Sequence, residues 1–170
     1  MTQETAPIEY LDLVNDDDQV VGREDRAVIY SQKLSNYRVV NAFIVNSQGQ
    51  FWIPRRTAHK RIFPLCLDFS VGGHVESGES YDESFRRETF EELNIDVDKV
   101  GFRLLGHLTP AKDGVSSFMN IYELKGEVAP DYNPNDFIGA EWLTPVELLD
   151  RIVRGEKVKD DLEKVIKSFY

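Results

Sequence analysis

The sequence predicts an α/β (α+β) fold, a mixed β-sheet packed between helices and preceded by an amino-terminal β-hairpin. Three observations predict it. Short runs rich in β-branched and aromatic residues recur along the chain, each closed by a turn signal. Among them lies one strongly marked helix, and two further helical patterns close the chain. The 170 residues, 41% apolar and 29% charged, have ordinary globular composition, at a length where one core buries about 70% of the unfolded surface. A single domain over residues 1–170 is therefore expected.

The elements follow in order. Residues 9–14 and 19–22 flank the turn Asn15-Asp-Asp-Asp18 and form the first hairpin, because Asn and Asp close turns through their own side chains. Residues 38–46 and 51–54 flank Ser47-Gln-Gly-Gln50 and form a second. Pro54 and Pro64 bracket a cationic loop containing Arg55, Arg56, His59, Lys60 and Arg61. A short strand is expected at residues 65–71. Residues 80–93 carry a Ser80-x-x-Glu83 capping box and place Phe85 and Thr89 one turn apart, so a helix is expected there. Strands follow at residues 100–108, 117–124 and 137–143. Helices at 145–154 and 160–170 complete the chain, the first capped by Thr144 and stopped by Gly155.

A formal net charge of -10 gives no global electrostatic support to nonspecific binding of nucleic acid or anionic membrane. The sole cysteine, Cys66, cannot form an intramolecular disulfide and has no Cys or His neighbours at zinc-site spacing, which suits a reducing cytoplasm. Residues 1–10 lack the basic patch and apolar stretch of a secretory leader, and no apolar run approaches membrane-spanning length. A cytoplasmic protein is expected.

Chemistry concentrates in residues 73–95, a glycine loop opening an acidic helix. On that helix Glu88 neighbours Glu91 at i+3 and Glu92 at i+4, with Arg87 beside them. Three like charges on one face call for a counter-cation, and all-oxygen ligands select a hard divalent ion that carries phosphates with it. A solvated helix face laced with ion pairs is the plainer reading of the helix taken alone. The whole string decides between them, because it resembles the Nudix box, G-x5-E-x7-R-E-U-x-E-E-x-G-U with U apolar. Gly73, Glu79, Arg87, Glu88, Glu91, Glu92 and Ile95 match it. Thr89 stands in place of an apolar residue, and Asn94 in place of a glycine that would end the helix in the left-handed region.

The resemblance implies the Nudix fold and hydrolysis of a diphosphate linkage in a nucleoside di- or triphosphate, or in a nucleoside diphosphate joined to a group X. By motif position it makes Glu88, Glu91 and Glu92 ligands of Mg²⁺, with Mn²⁺ as the alternative. Arg87 would orient those carboxylates, and Glu91 or Glu92 would hold the attacking water. Gly73, Glu79 and Asn94 would shape the loop and helix, and Gly73 would also meet substrate. Glu141, outside the box, is the candidate general base. Arg55, Arg56 and Lys60 are candidates to clamp the diphosphate. Trp142, Phe118 and Phe69 are either core residues or stacking partners for a base. A homodimer rests on the resemblance alone.

Most of the chain is also similar to the isopentenyl-diphosphate-isomerase-like branch of the family. The similarity runs through Leu11-Asp-Leu-Val-Asn15, Trp52-Ile-Pro-Arg-Arg56, His59-Lys60, Phe63-Pro64 and Gly73-His-Val75. Bacterial Nudix hydrolases of this group share Arg38-Val-Val-Asn-Ala-Phe43 and Asn133-Pro-Asn-Asp136. Isomerase activity is thus an alternative, and a Nudix module that binds nucleotide without turnover is another. Against isomerase stand Gly72, at the position of the isomerase cysteine, and the lack of any histidine before His59. His74 fits a structural or supporting role better than a ligand's.

Overall fold

The computed structural model describes residues 7–170, so the first six residues of the expected leader-free terminus lie outside it. In chain order the elements are β1 (Tyr10–Val14), β2 (Val20–Asp25), α1 (Arg26–Ser31), β3 (Arg38–Val45), β4 (Phe51–Arg56) and β5 (Val71–His74). Then come α2 (Tyr81–Leu93), α3 (Val97–Val100), β6 (Phe102–Leu108), α4 (Pro110–Asp113), β7 (Phe118–Lys125), β8 (Phe137–Leu143), α5 (Pro145–Val153) and α6 (Leu162–Phe169). The β1–β2 hairpin closes as the turn residues dictate, with Asn15 Oδ1 accepting from the backbone of Asp17 and Gln19.

The main sheet runs β6-β7-β3-β4-β8, with β3 and β7 parallel and the other pairs antiparallel, so it is mixed as expected. Strand β3 supplies its centre. One edge of β3 pairs with β7 over its whole length. The other edge is shared: β4 pairs with it only at Val45↔Phe51, and β5 takes Val39 to Ala42. The sheet therefore forks. Ser70 stitches the fork, its Oγ accepting from Ile44 N at 2.9 Å and donating to Trp52 O at 2.6 Å.

Alternation along β3 sorts the core into two layers. Phe43 and Val45 join Phe51, Ile53 and Phe69 beneath Leu148 of α5 and Leu162, Val165 and Ile166 of α6. Val40, Ala42 and Ile44 face the opposite way, with Trp52 and Tyr122, beneath Phe85 and Leu93 of α2. The sheet is thus sandwiched between helices. A small third cluster of Leu11, Ile29 and Tyr37 fastens the amino-terminal hairpin.

Two expectations are corrected: Arg55 and Arg56, expected in a loop after Pro54, are the last residues of β4, and the strand expected at 65–71 is shorter. Within 65–71 a regular strand begins only at Val71, although Leu67 already makes isolated bridges to Arg55 and Val158, and β5 is Val-Gly-Gly-His, a sequence with little strand preference that is drawn into the sheet by β3. The short helices α1, α3 and α4, each of four to six residues, have no apolar periodicity long enough to announce them. The capping expectations hold: Ser80 with Glu83 and Thr144 with Glu147 both form reciprocal boxes.

Candidate active site

Strand β5 lies against α2, and Gly73 makes the approach possible. A methyl group on Gly73 would sit 2.0 Å from Glu88 Cδ, so only glycine leaves room for that carboxylate. Helix α2 faces the core through Ser84, Phe85, Thr89 and Leu93, and this fixes its rotation. Thr89, the departure from an apolar position, is fully buried and satisfies its hydroxyl by donating to Phe85 O at 2.7 Å. Asn94 ends the helix at φ 53° and ψ 33°, the left-handed conformation expected of it.

That rotation brings Glu88 and Glu92 under the β5 edge and leaves Glu91 57% exposed. Gly72 N donates to Glu92 Oε2 at 3.2 Å. Burial pushes both Glu88 and Glu92 above the usual carboxylate range; for Glu88 the Arg87 guanidinium offsets part of this, and for Glu92 the neighbouring Glu88 adds to it. Arg87 is the hub. It donates to both oxygens of Glu79 (2.7 and 2.9 Å), to Glu88 at 2.8 Å, to Glu91 at 3.4 Å and to His74 O at 3.0 Å. Glu79 also accepts from Glu76 N at 2.9 Å. Burial raises the Glu79 pKa, but the Arg87 and Glu76 hydrogen bonds outweigh it, and the carboxyl is held below its ordinary range. Hydrogen bonding to Glu79 likewise keeps Arg87 firmly charged.

The amino-terminal hairpin grips the loop leading into α2. Asp12 accepts from Ser77 Oγ at 2.6 Å and from Gly78 N at 3.0 Å, and Ser77 N donates to Tyr10 O.

A cavity of about 730 Å³ opens beside this cluster. Of the expected clamp residues, Arg56 and Lys60 line it and Arg55 does not. Arg56 is tied to Asp68 at 2.6 Å and to the carbonyls of Ile62 and Phe63, while Lys60 pairs with Asp136 at 2.5 Å. Arg55 instead meets Glu156 and Leu65 O. Glu141, the expected general base, does not line this cavity; it lies next to Arg55 in a separate shallow pocket and binds Arg151 through both oxygens at 2.5 and 3.0 Å. Hydrogen bonding to Arg151 holds its pKa below the ordinary range, the reverse of what a general base needs. Phe118 is a core residue, Phe69 is buried in the core while also lining the cavity, and Trp142 packs on the α2-side core.

The sequence reading missed Arg26, Tyr30, Asn41 and Lys159, all on the cavity wall. Asn41 alone left a signal, as the one polar residue inside the apolar run Val39-Val-Asn-Ala-Phe43. His74 contacts the cavity, but its Nε2 is 2.8 Å from Tyr30 Oη and its ring stacks on Tyr37, a supporting arrangement. Among the described residues, no three His, Cys, Asp or Glu side chains converge as they stand to hold a metal ion. Also among them, no helix is long and apolar enough to cross a membrane.

A mixed sheet between helices, with the Gly-Glu-Arg-Glu loop and helix at a cavity lined by both acidic and basic side chains, defines a Nudix-type fold. Residues 36–166 match the NUDIX domain, and the chain belongs to the Nudix hydrolase family. It is 55% identical to an uncharacterised Nudix hydrolase of Nostoc sp. over 163 residues, 96% of each chain. It is 51% identical to a Nudix hydrolase of Deinococcus radiodurans over 165 residues, 95% of this chain and 94% of that one. The crystal structure of a Deinococcus radiodurans protein, also 51% identical, superposes with a TM-score of 0.90 and covers 95% of this chain and 99% of its own.

Proposed function

We propose that this Nudix hydrolase is a pyrophosphohydrolase dependent on Mg²⁺ or Mn²⁺. It cleaves the diphosphate linkage of a nucleoside di- or triphosphate, or of a nucleoside diphosphate joined to a group X. The observation that carries this is the acidic face of α2 at the cavity wall, with Glu88 seated against Gly73, Glu92 hydrogen-bonded to Gly72 N, and Glu91 beside them.

The donor chemistry fits a hard divalent cation. Glu88, Glu91 and Glu92 offer only carboxylate oxygens and would hold the ion, Glu88 and Glu91 through the oxygen that Arg87 does not engage. When bound, the ion would neutralise these carboxylates and supply Lewis acidity to a phosphate oxygen. The chain's own residues do the rest. Arg87, locked to Glu79, fixes the direction of Glu88 and Glu91. Glu92, anchored by Gly72 N, is the residue we assign to hold the attacking water. Lys60 serves the substrate's diphosphate by exchanging its Asp136 partner for a phosphate oxygen, and Arg56 supports that loop from Asp68.

The same reading places the chain, as one domain over 1–170, in the cytoplasm and in the isomerase-like branch by descent but not by activity. Cys66, the only thiol, is buried and lies off the cavity wall. The homodimer stays part of the proposal, to be checked by light scattering.

Phosphate release from nucleoside diphosphates, triphosphates, nucleotide sugars, dinucleoside polyphosphates and isopentenyl diphosphate, with Mg²⁺ and with chelator, tests the reading. Metal-dependent cleavage of a nucleotide is expected. Silence across the panel with binding intact would overturn it in favour of a binding module. Glu92→Gln should lower kcat at least about a hundredfold. Its melting temperature in chelator should not fall, because Gln matches the neutral carboxyl that burial favours and its amide oxygen can still accept from Gly72 N. A near-native rate in that variant would remove Glu92 from the mechanism.

A further inference from the structure

The cavity continues past β5 to a second polar surface that the carboxylates do not use. Consecutive strand residues face opposite sides. Glu88 fills the space beside Gly73, whereas a methyl group on Gly72 would meet Asn41 Oδ1 at 2.8 Å and Lys159 Nζ at 3.0 Å. Asn41, paired with Gly72 across β3 and β5, is 3% exposed. Its Oδ1 has no hydrogen-bond partner, and its Nδ2 meets only Met119 Sδ at 3.9 Å. Ser117, just before β7, is completely buried; its Oγ neighbours the Tyr37 hydroxyl but makes no hydrogen bond of normal geometry. Among the described residues these are the two buried side-chain polar atoms left in that state, and both residues line this cavity.

Buried acceptors and hydroxyls are nearly always paired, and two orphans in one cavity mark a place where a ligand completes the pairing. The surroundings say what kind. Phe69 and Met119 give apolar walls, and Lys159 crosses the Phe69 ring at 5.7 Å. Flat apolar walls ending on an acceptor, a hydroxyl and an ammonium suit a planar heterocycle whose rim carries an N–H next to an acceptor. The opposite side of β5, with Glu88 and Glu92, suits metal and phosphate instead.

We propose that Asn41, together with Ser117 and Lys159, forms the subsite that reads the hydrogen-bonding edge of a nucleobase. The base lies on the Asn41 side of Gly72 and the diphosphate on the Glu88 side. Asn41 Oδ1 accepts from an amino or imino N–H of the base, and Ser117 Oγ or Lys159 Nζ donates to the neighbouring ring nitrogen or carbonyl. Asn41 is thereby a specificity-determining residue. This rests on the diphosphohydrolase reading above, and the test separates the two.

The test compares kcat/KM for ADP, GDP, CDP and UDP with that for ribose 5-diphosphate, which has the sugar and diphosphate but no base. It uses the wild-type chain, Asn41→Leu and Ser117→Ala, and measures equilibrium binding of the same compounds in chelator by calorimetry. The wild type should favour at least one nucleoside diphosphate over ribose 5-diphosphate by about tenfold or more. Asn41→Leu should shrink that ratio about tenfold through KM rather than kcat, one unpaired edge contact being of that size. Ser117→Ala, on a different element, should shrink it in the same direction and stands in if Asn41→Leu does not fold. A wild type indifferent to the base, or variants that keep the ratio, would overturn the subsite while leaving hydrolysis intact. No cleavage of anything would overturn the hydrolase reading, and the ratio of binding constants would then decide the subsite.

Discussion

Two neighbouring residues of β5, Gly73 and His74, set the strictest demands. Gly73 has no room for a methyl group, whose nearest neighbours would be Glu88 Cδ at 2.0 Å and Oε1 at 2.2 Å. Gly73→Ala must therefore expel Glu88 from beneath the strand or move the strand. Forced overpacking of this kind costs about 1–3 kcal/mol. The expected result is a lower melting temperature together with a kcat loss no smaller than that of Glu88→Gln, and a fully active Gly73→Ala would show that the carboxylate works from elsewhere. The next residue, His74, adds a pH dependence of its own. Burial depresses its pKa well below 6.5, and Arg26, Lys159, Arg87 and Arg56 press the same way. A depressed folded pKa means that the stability is present above the unfolded value and is lost as pH falls through the folded one. The melting-temperature difference between wild type and His74→Asn should thus shrink as pH is lowered from about 7.5 to about 5. A difference that grows in acid would mean His74 is charged in the fold.

At the scale of elements, the fork between β4 and β5 creates the cavity, and Ser70 holds the fork. Its hydroxyl serves two backbone groups of diverging strands, Ile44 N and Trp52 O, both in the core. Ser70→Ala strands both and should cost about 2 kcal/mol, which a urea melt would register as a lower midpoint with unchanged slope. An unchanged midpoint would show that the strands hold the fork without it. This fork also marks where the sequence stopped being legible. Helix α2, its capping box and the Asn94 stop were readable because local propensity and periodicity agree there. Strand β5 was not, since Gly-Gly has no strand preference and its pairing is imposed by β3 from thirty residues away in sequence. Spacing on α2 put Glu88, Glu91 and Glu92 together, yet nothing in sequence order could separate Lys60 from Arg55, or show that Arg151 neutralises Glu141. Those outcomes depend on which elements lie side by side.

For the whole molecule, the limits of the NUDIX match at 36 and 166 are not the limits of the packed structure. Before residue 36, Asp12 fastens the loop that carries Glu79, and Tyr30 completes the cavity wall. After residue 166, Tyr170 seals the other end. Its ring lies edge-on to Phe51 at 4.6 Å and to Phe43 at 5.7 Å, and its hydroxyl donates to Glu123 Oε2 at 2.6 Å. Glu123 is nearly buried, with Lys125 and Arg103 as its other partners, so it remains paired when Tyr170 is removed. The loss should therefore come mainly from exposing Phe43 and Phe51, about 2 kcal/mol for one partly buried aromatic. At this chain length that lowers the melting temperature by roughly 4–8 °C. Deleting Tyr170 should do this while leaving kcat/KM for the best substrate within about twofold at 25 °C, because Tyr170 borders the Phe43–Phe51 layer and not the cavity. A calorimetric scan paired with a rate assay checks both halves. If stability does not change, the aromatic seal contributes nothing; if activity collapses while the protein stays folded, the carboxy-terminal end reaches the site by a route the fold does not show.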